Sequence, residues 1–365
     1  MKIALYTNVT AFEAPGGAEI YFLNLLNTLR QLKDQFDVEV DLYDPLRKSI
    51  AYYDVAVFYN STAHSALAYD FLLVAKRAKK RTVNIPVYFS LHFSFSNIEK
   101  FLYTMGLLFV RLYIERTGIL FRSKLEFLYK SLHLAELILV SGEGEAKVLN
   151  RDFKIDKQRI EILPVAVEEK FANSDPNLFI EKYGVSDFIL YVGKIAKRKN
   201  VLSLIKAYKI ACIDAPLVIV GHIAEYDYYQ QVLEYIKKHN LFHKILIIPG
   251  LDHSSELLAS AYAASRVLVL PSYYETPGIA ALEAALTGTN IVITKYGTTM
   301  EYFKHYALYV DPYNIKDIAH KLEIAYNRPK PNTKLREYIL NNFTYTRVAR
   351  RLITLLYRLI NQYER

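Results

Sequence analysis

Two carboxylates, Glu275 and Glu283, and a run of cations, Lys194, Lys197, Arg198 and Lys199, are the side chains whose types and spacing suit chemistry. Glu283 stands inside the apolar stretch IAALEAAL. An ionised carboxylate in such a run is costly unless something pairs with it or donates hydrogen bonds to it. On the residues alone, two readings stay open. Glu283 is a core carboxylate paired with a distant Lys or Arg, or it accepts hydrogen bonds from ligand hydroxyls. Glu275 lies in the loop between the apolar strand RVLVLPS and that helix. Thr276 is placed to cap the helix, Pro277 suits its first position, and Gly278 lets another group approach the backbone. A helix start offers free N–H groups to oxygen-rich ligands, and in open α/β sheets ligands bind at the carboxyl ends of strands. The loop, the helix start and both acids therefore converge on one place.

The four cations fall between a strand over 188–192, closed by Gly193, and a helix over 201–211. That position suits a diphosphate, with a solvated charge run as the alternative. In the first half, Gly16 and Gly17 follow a strand over 2–7 and precede a helix over 20–32; they allow close backbone approach, or they simply make a turn. Neither a G-x-G-x-x-G fingerprint nor a P-loop occurs. His92 ends a strand over 83–91, where an imidazole can donate a hydrogen bond or shuttle a proton, or serve only structure. Cys-x-x-Cys, His-Glu-x-x-His and loop Asp-x-Asp patterns are all missing, so no metal is expected.

The elements that position these residues form two series of alternating strands and helices. A length of 365 residues with 52% apolar and 23% charged residues suits two globular domains. A polar, Pro-containing stretch over 164–187 marks the boundary, giving a first domain over 1–166 and a second over 167–345. The net charge of +9 implies anionic partners: nucleotide phosphates, nucleic acid or an anionic membrane surface. The motifs of known nucleic-acid-binding modules are missing, so nucleic acid is not the expected partner. Cys212 is the single cysteine, which suits a cytoplasmic protein. The start MKIALYT reads as a strand rather than a signal peptide, and no uncharged apolar run reaches the roughly 20 residues of a membrane span. Over 98–133, Arg111, Arg116, Arg122, Lys124 and Lys130 interleave with Leu, Phe and Tyr. This is a surface for peripheral contact with an anionic membrane, on its cytoplasmic face, or an ordinary amphipathic hairpin.

Pro271-Ser272, Glu275, seven further residues, Glu283-Ala284 and Gly288 together resemble the E-x7-E signature of retaining GT-B glycosyltransferases, most closely family 4. The resemblance implies two Rossmann-like α/β domains facing each other across a cleft, with a C-terminal helix over about 346–365 returning to the first. It implies transfer of a sugar from a nucleotide-diphosphate donor to a hydroxyl of a glycan or lipid-linked acceptor, with retention and without metal. Glu275 would lie near the donor sugar, the loop Thr276, Pro277, Gly278 and Ile279 against sugar and phosphate oxygens, and Glu283 on the ribose hydroxyls. Gly16, Gly17 and Glu19 match a GG-x-E segment near donor phosphate or acceptor, and His92 would face the donor sugar. Lys194, after Gly193, stands where the family has Arg, and Lys199 matches the family Lys; both would touch the diphosphate. Lysine keeps the charge but loses the bidentate fork. Asn200 replaces a Gly, Leu251 falls where the base is read, and Gly297, Thr298, Thr299 and Glu301 resemble a Gly-Gly-x-x-Glu turn. The alternatives are a nucleotide-sugar epimerase or hydrolase, an inactive donor-binding homologue, and, remotely, a basic nucleic-acid-binding protein.

Overall fold

The computed structural model describes residues 1–8, 12–13, 17–88, 105–108 and 123–361. The chain divides into two compact units, Met1–Ala166 with Tyr345–Arg365, and Val167–Thr344.

The first unit runs β1 (Lys2–Tyr6), α1 (Gly17–Gln31), β2 (Glu39–Leu42), β3 (Val55–Tyr59), α2 (Ser65–Arg77), β4 (Arg81–Ile85), α3 (Lys124–Leu134), β5 (Leu137–Val140), α4 (Glu143–Phe153) and β6 (Ile160–Ile162). Its strands pair in parallel in the order β2-β1-β3-β4-β5-β6. VAVFY of β3 is buried on both faces, the apolar run of a parallel strand covered above and below by helices. The chain winds outward from β1 to one side and from β3 to the other, so the carboxyl ends of β1 and β3 open this sheet's crevice. The expected strand over 83–91 stops at Ile85, because Pro86 has no N–H to continue the ladder and Val87 turns to φ 53°. The amide of Tyr88 instead donates to the buried Glu145 carboxylate at 2.6 Å. Residues 89–91, with the rest of the strand expected there, lie outside the described residues, as do Arg111, Arg116 and Arg122. The described part of the basic segment forms α3, capped by Ser123, which accepts from the Glu126 amide.

The second unit runs α5 (Asn177–Tyr183), β7 (Ile189–Val192), α6 (Val201–Ile210), β8 (Leu217–Val220), α7 (Tyr226–Lys238), β9 (Ile245–Ile248), α8 (Glu256–Ala264), β10 (Val267–Leu270), α9 (Ile279–Leu286), β11 (Asn290–Thr294), α10 (Thr299–Phe303), β12 (Leu308–Val310), α11 (Ile315–Tyr326) and α12 (Thr333–Asn342). Its parallel order is β12-β11-β10-β7-β8-β9, and the winding reverses between β7 and β10. A last helix, α13 (Tyr345–Asn361), belongs to the first unit and packs on α1. It buries Val348, Leu352, Ile353, Leu355, Leu356 and Leu359 on one face and turns Arg347, Arg350, Arg351 and Thr354 to solvent. No described helix is long and apolar enough to cross a membrane.

Candidate functional site

The crevice between β7 and β10 collects most of the expected side chains. Glu275 sits in the loop after β10, and its peptide is docked on the turn after β11. Its amide donates to the Tyr296 carbonyl at 3.2 Å, and its carbonyl accepts from the Thr298 amide at 3.0 Å. Between them, Gly297 has φ +107°, and a Cβ there would lie 1.8 Å from the Glu275 carbonyl oxygen. Only glycine fits that approach. Thr298, in the family's second Gly position, thus keeps its backbone role.

Lys199 ends the turn after β7, and its ammonium lies 2.5 Å from Glu275 Oε1. Three further bonds join the two loops. The Arg198 guanidinium donates to the Tyr274 carbonyl at 2.8 Å, and the Tyr273 amide donates to the Arg198 carbonyl at 3.0 Å. The Asn200 amide group donates to the carbonyls of Pro271 at 3.1 Å and Pro312 at 2.8 Å. Asn200 itself has φ 58°, a left-handed conformation that Gly adopts freely and Asn tolerates. That explains Asn where a Gly was expected, with a gain: its side chain ties the cation turn to the Glu275 loop.

Burial raises the Glu275 carboxyl, but Lys199 and Arg198 outweigh it and hold the group below the usual carboxylate range, hence ionised at neutral pH. Burial pulls the Lys199 ammonium below its usual range; Glu275 opposes this, and Arg198 and Lys194 add to it. Lys194 is exposed on the same loop, its carbonyl accepting from the Tyr191 hydroxyl at 2.9 Å.

The helix start differs from expectation. Thr276 and the cis-bonded Pro277 precede α9 rather than opening it, and Gly278, at φ +98°, is the capping residue without a side-chain bond. The amides of Ala281 and Leu282 return to the Gly278 carbonyl, while those of Ile279 and Ala280 make no hydrogen bond to the protein. Two N–H groups are left to a ligand beside Glu275.

Glu283, 3% exposed on α9, is paired with neither a Lys nor an Arg. His253 Nε2 lies 2.6 Å from one carboxylate oxygen, and the Tyr262 hydroxyl donates to the other at 2.7 Å. His253 Nδ1 is 3.6 Å from Glu168. Burial lowers His253's proton affinity, but Glu283 and then Glu168 more than reverse this, so the imidazole lies above its usual range. A carboxylate offers about four lone-pair positions, so two remain on Glu283.

Gly193, Gly221 and Gly250 close β7, β8 and β9. A Cβ on Gly221 would lie 1.9 Å from the Gly193 carbonyl oxygen, and one on Gly250 would lie 2.1 Å from His222 Nε2. Leu251, half-buried, follows Gly250 in the loop that leads to His253. In the first unit, Gly17 opens α1, while Gly16 and His92 lie outside the described residues. Among the described residues no group of three or more His, Cys, Asp or Glu is arranged to hold a metal ion.

Residues 179–342 match the family model described as glycosyl transferases group 1. The second unit is a group 1 glycosyltransferase domain. Relatives of the chain include an uncharacterized glycosyltransferase of Methanocaldococcus jannaschii, 32% identical over 45% of this chain and 42% of the relative. The O-antigen chain mannosyltransferase B of Escherichia coli is 28% identical over 54% of this chain and 53% of the relative. The chain thus spans about half the length of these relatives. Among solved structures, Anabaena HepE in complex with UDP and glucose superposes with a TM-score of 0.74 at 14% identity, over 98% of this chain and 100% of that one. The sucrose-phosphate synthase of Thermosynechococcus elongatus superposes with a TM-score of 0.72 at 17% identity, over 99% of both. Both sheets of the chain are those of the GT-B fold.

Proposed function

We propose that the protein transfers a glycosyl group from a nucleoside-diphosphate sugar to an acceptor hydroxyl, with retention of configuration and without a bound metal. The observation that carries this reading is the buried Glu275–Lys199 pair at the β7/β10 crevice, beside the free amides of α9, within a group 1 domain. Lys199, with Lys194 at the rim, would stabilise the charge that develops on the departing diphosphate, and the amides of Ile279 and Ala280 would take its oxygens. Thr276, Pro277 and Gly278 shape that approach. Glu275, held ionised by Lys199, would orient the sugar. Glu283 would accept the ribose hydroxyls with its two remaining lone-pair positions, and Leu251 would border the base. Gly193 keeps the backbone open beneath the diphosphate. His92 and the Gly16-Gly17 turn belong to the same reading, on the sugar and acceptor side. Retention fits attack on the face the diphosphate leaves, with no enzyme nucleophile required. A glycan acceptor is supported by the name of the Escherichia coli relative, an O-antigen mannosyltransferase.

The test is a titration of UDP, GDP, ADP and TDP against the purified protein in chelator, following thermal stability. UDP leads the series because HepE was solved with it. A nucleotide at about 100 times its dissociation constant should add about 2.7 kcal/mol of stability. The expected result is one selective nucleotide whose effect disappears in Glu283→Ala, followed by transfer from the matching sugar donors and an NMR assignment of the product anomer. No stabilisation by any nucleotide, with no transfer from any donor, would overturn the proposal.

A further inference from the structure

The first sheet also has a crevice, between the carboxyl ends of β1 and β3, and a cavity of about 480 Å³ lies there. Asn8, just beyond β1, the start of α2 from Ala63 to Leu67, and Lys124 and Phe127 of α3 line it. Most of its polar groups donate, beside the Asn8 amide oxygen and a Ser65 hydroxyl that can also accept. The amides of Ser65, Ala66 and Leu67 make no hydrogen bond to the protein, and that of Ala68 is the first to turn back, to the His64 carbonyl. His64, the capping residue of α2, makes no side-chain bond to the helix. Its Nδ1 lies 3.1 Å from the Asn8 amide nitrogen, which donates to it and leaves the ring proton on Nε2.

Ser65 is only 4% exposed, yet its hydroxyl, at the cavity wall, is engaged by no protein group. That hydroxyl opens onto the cavity, so a molecule seated there can take it as a hydrogen-bond partner. Lys124 forms no ion pair among the described residues. Two helices, α2 and α3, begin here, and each presents the positive end of its dipole. Burial and Lys124 lower the proton affinity of His64, against Glu19 on α1, so the ring sits below its usual range and serves as a neutral N–H donor. Among the described residues, Glu19 is the one acid whose charge reaches that ring, and no Asp or Glu lines the cavity. A neutral sugar needs acceptors for its hydroxyl protons. This lining offers amides, a hydroxyl, an imidazole N–H and an ammonium.

We propose that this cavity is an oxyanion site that binds a phosphate ester, and that the acceptor is a phosphate-bearing molecule seated there through α2, Ser65 and Lys124. The acceptor role rests on the transfer reading; the binding does not. Calorimetric titration of the full chain with glycerol 3-phosphate, without any nucleotide sugar, tests it. Cosedimentation with phosphatidylcholine vesicles, with and without phosphatidic acid, runs in parallel. Saturable binding of glycerol 3-phosphate is expected, weakened at least tenfold in Lys124→Ala and lost in Ser65→Asp. Binding selective for phosphatidic acid vesicles, lost in the same two variants, would assign the phosphate to a lipid headgroup. Glycerol 3-phosphate binding without vesicle preference would assign it to a soluble ester.

Ser65→Asp adds an acid to the first turn of α2, where the helix dipole favours it, so folding should persist. If that variant fails to fold, the exposed Lys124→Ala carries the decision. Binding of neither ligand, or wild-type binding in Lys124→Ala, would overturn the proposal. Failure here would leave the nucleotide titration untouched, and the reverse holds equally.

Discussion

Glu275 is buried and Lys199, its side chain 18% exposed, closes over it, so removing either strands the charge of the other. Breaking one side of a buried pair costs about 3–5 kcal/mol, whereas an uncharged pair of similar shape can be neutral. Glu275→Gln should be the worse single change, because it leaves both Lys199 and Arg198 without their carboxylate. Lys199→Met leaves Arg198 to compensate in part. The double variant Lys199→Met/Glu275→Gln should recover most of the loss in denaturant unfolding while sugar transfer stays absent. Additive losses in the double variant would contradict the pairing. A second expectation concerns His253, whose proton affinity in the fold is raised by Glu283 and Glu168. For a group raised in the fold, the stabilisation is full below its ordinary value of about 6.5 and is lost as pH rises through the folded-state value. Thermal midpoints measured upward from about pH 6 should therefore show a decline that flattens in His253→Gln. The two acids and Lys199 were readable because their signature is local. The partners of Glu283 were not: His253 and Tyr262 come from 30 and 21 residues away, and before α8 the sequence Asp-His-Ser-Ser looks like an ordinary cap.

Elements place these residues through backbone contacts that composition only hints at. Gly297 stands between Glu275 and α10, and any Cβ would enter the Glu275 carbonyl. Gly297→Ala should cost at least about 2 kcal/mol, since strained backbone alone accounts for about 1–3 kcal/mol. By moving the Glu275 peptide, it should also lower turnover more than tenfold. Gly184→Ala is the control. It has φ +68° at the end of α5 and nothing within 4 Å, so it should cost only about 1 kcal/mol and leave turnover unchanged. Equal turnover in the two variants would show that the Gly297 turn does not position Glu275. The strand-helix alternation was legible because parallel strands read as apolar runs and helices as one-sided stripes. Boundaries were less so where special backbone decides them: Gly278 delays α9 to Ile279, and Pro86 ends β4 early.

Across the whole molecule, both units use one plan, a parallel sheet whose winding reverses at a crevice, but the family model covers only residues 179–342. The asymmetry has a physical reason. The proposed diphosphate-sugar site demands fixed residue types at fixed spacing, whereas the proposed first-unit site, built from helix starts and backbone amides, leaves little trace in side-chain identity. The C-terminal segment shows the same limit: its apolar stripe predicts a helix but not the face it covers. That face is α1 of the first unit; beyond it, the Tyr357 hydroxyl donates to the Phe36 carbonyl at 2.8 Å and Arg358 pairs with Glu161 of β6 at 2.9 Å. Leu356 is fully buried there, so Leu356→Ala should cost about 2–5 kcal/mol. Ending the chain at Thr344 removes the whole stripe, a loss comparable to the 5–15 kcal/mol that holds a typical domain together. Hydrogen exchange on that truncated chain should show β1 to β6 losing protection while β7 to β12 keep theirs and nucleotide stabilisation persists. Loss of protection in both sheets together would mean that α13 supports the molecule as a single cooperative body rather than the first unit alone.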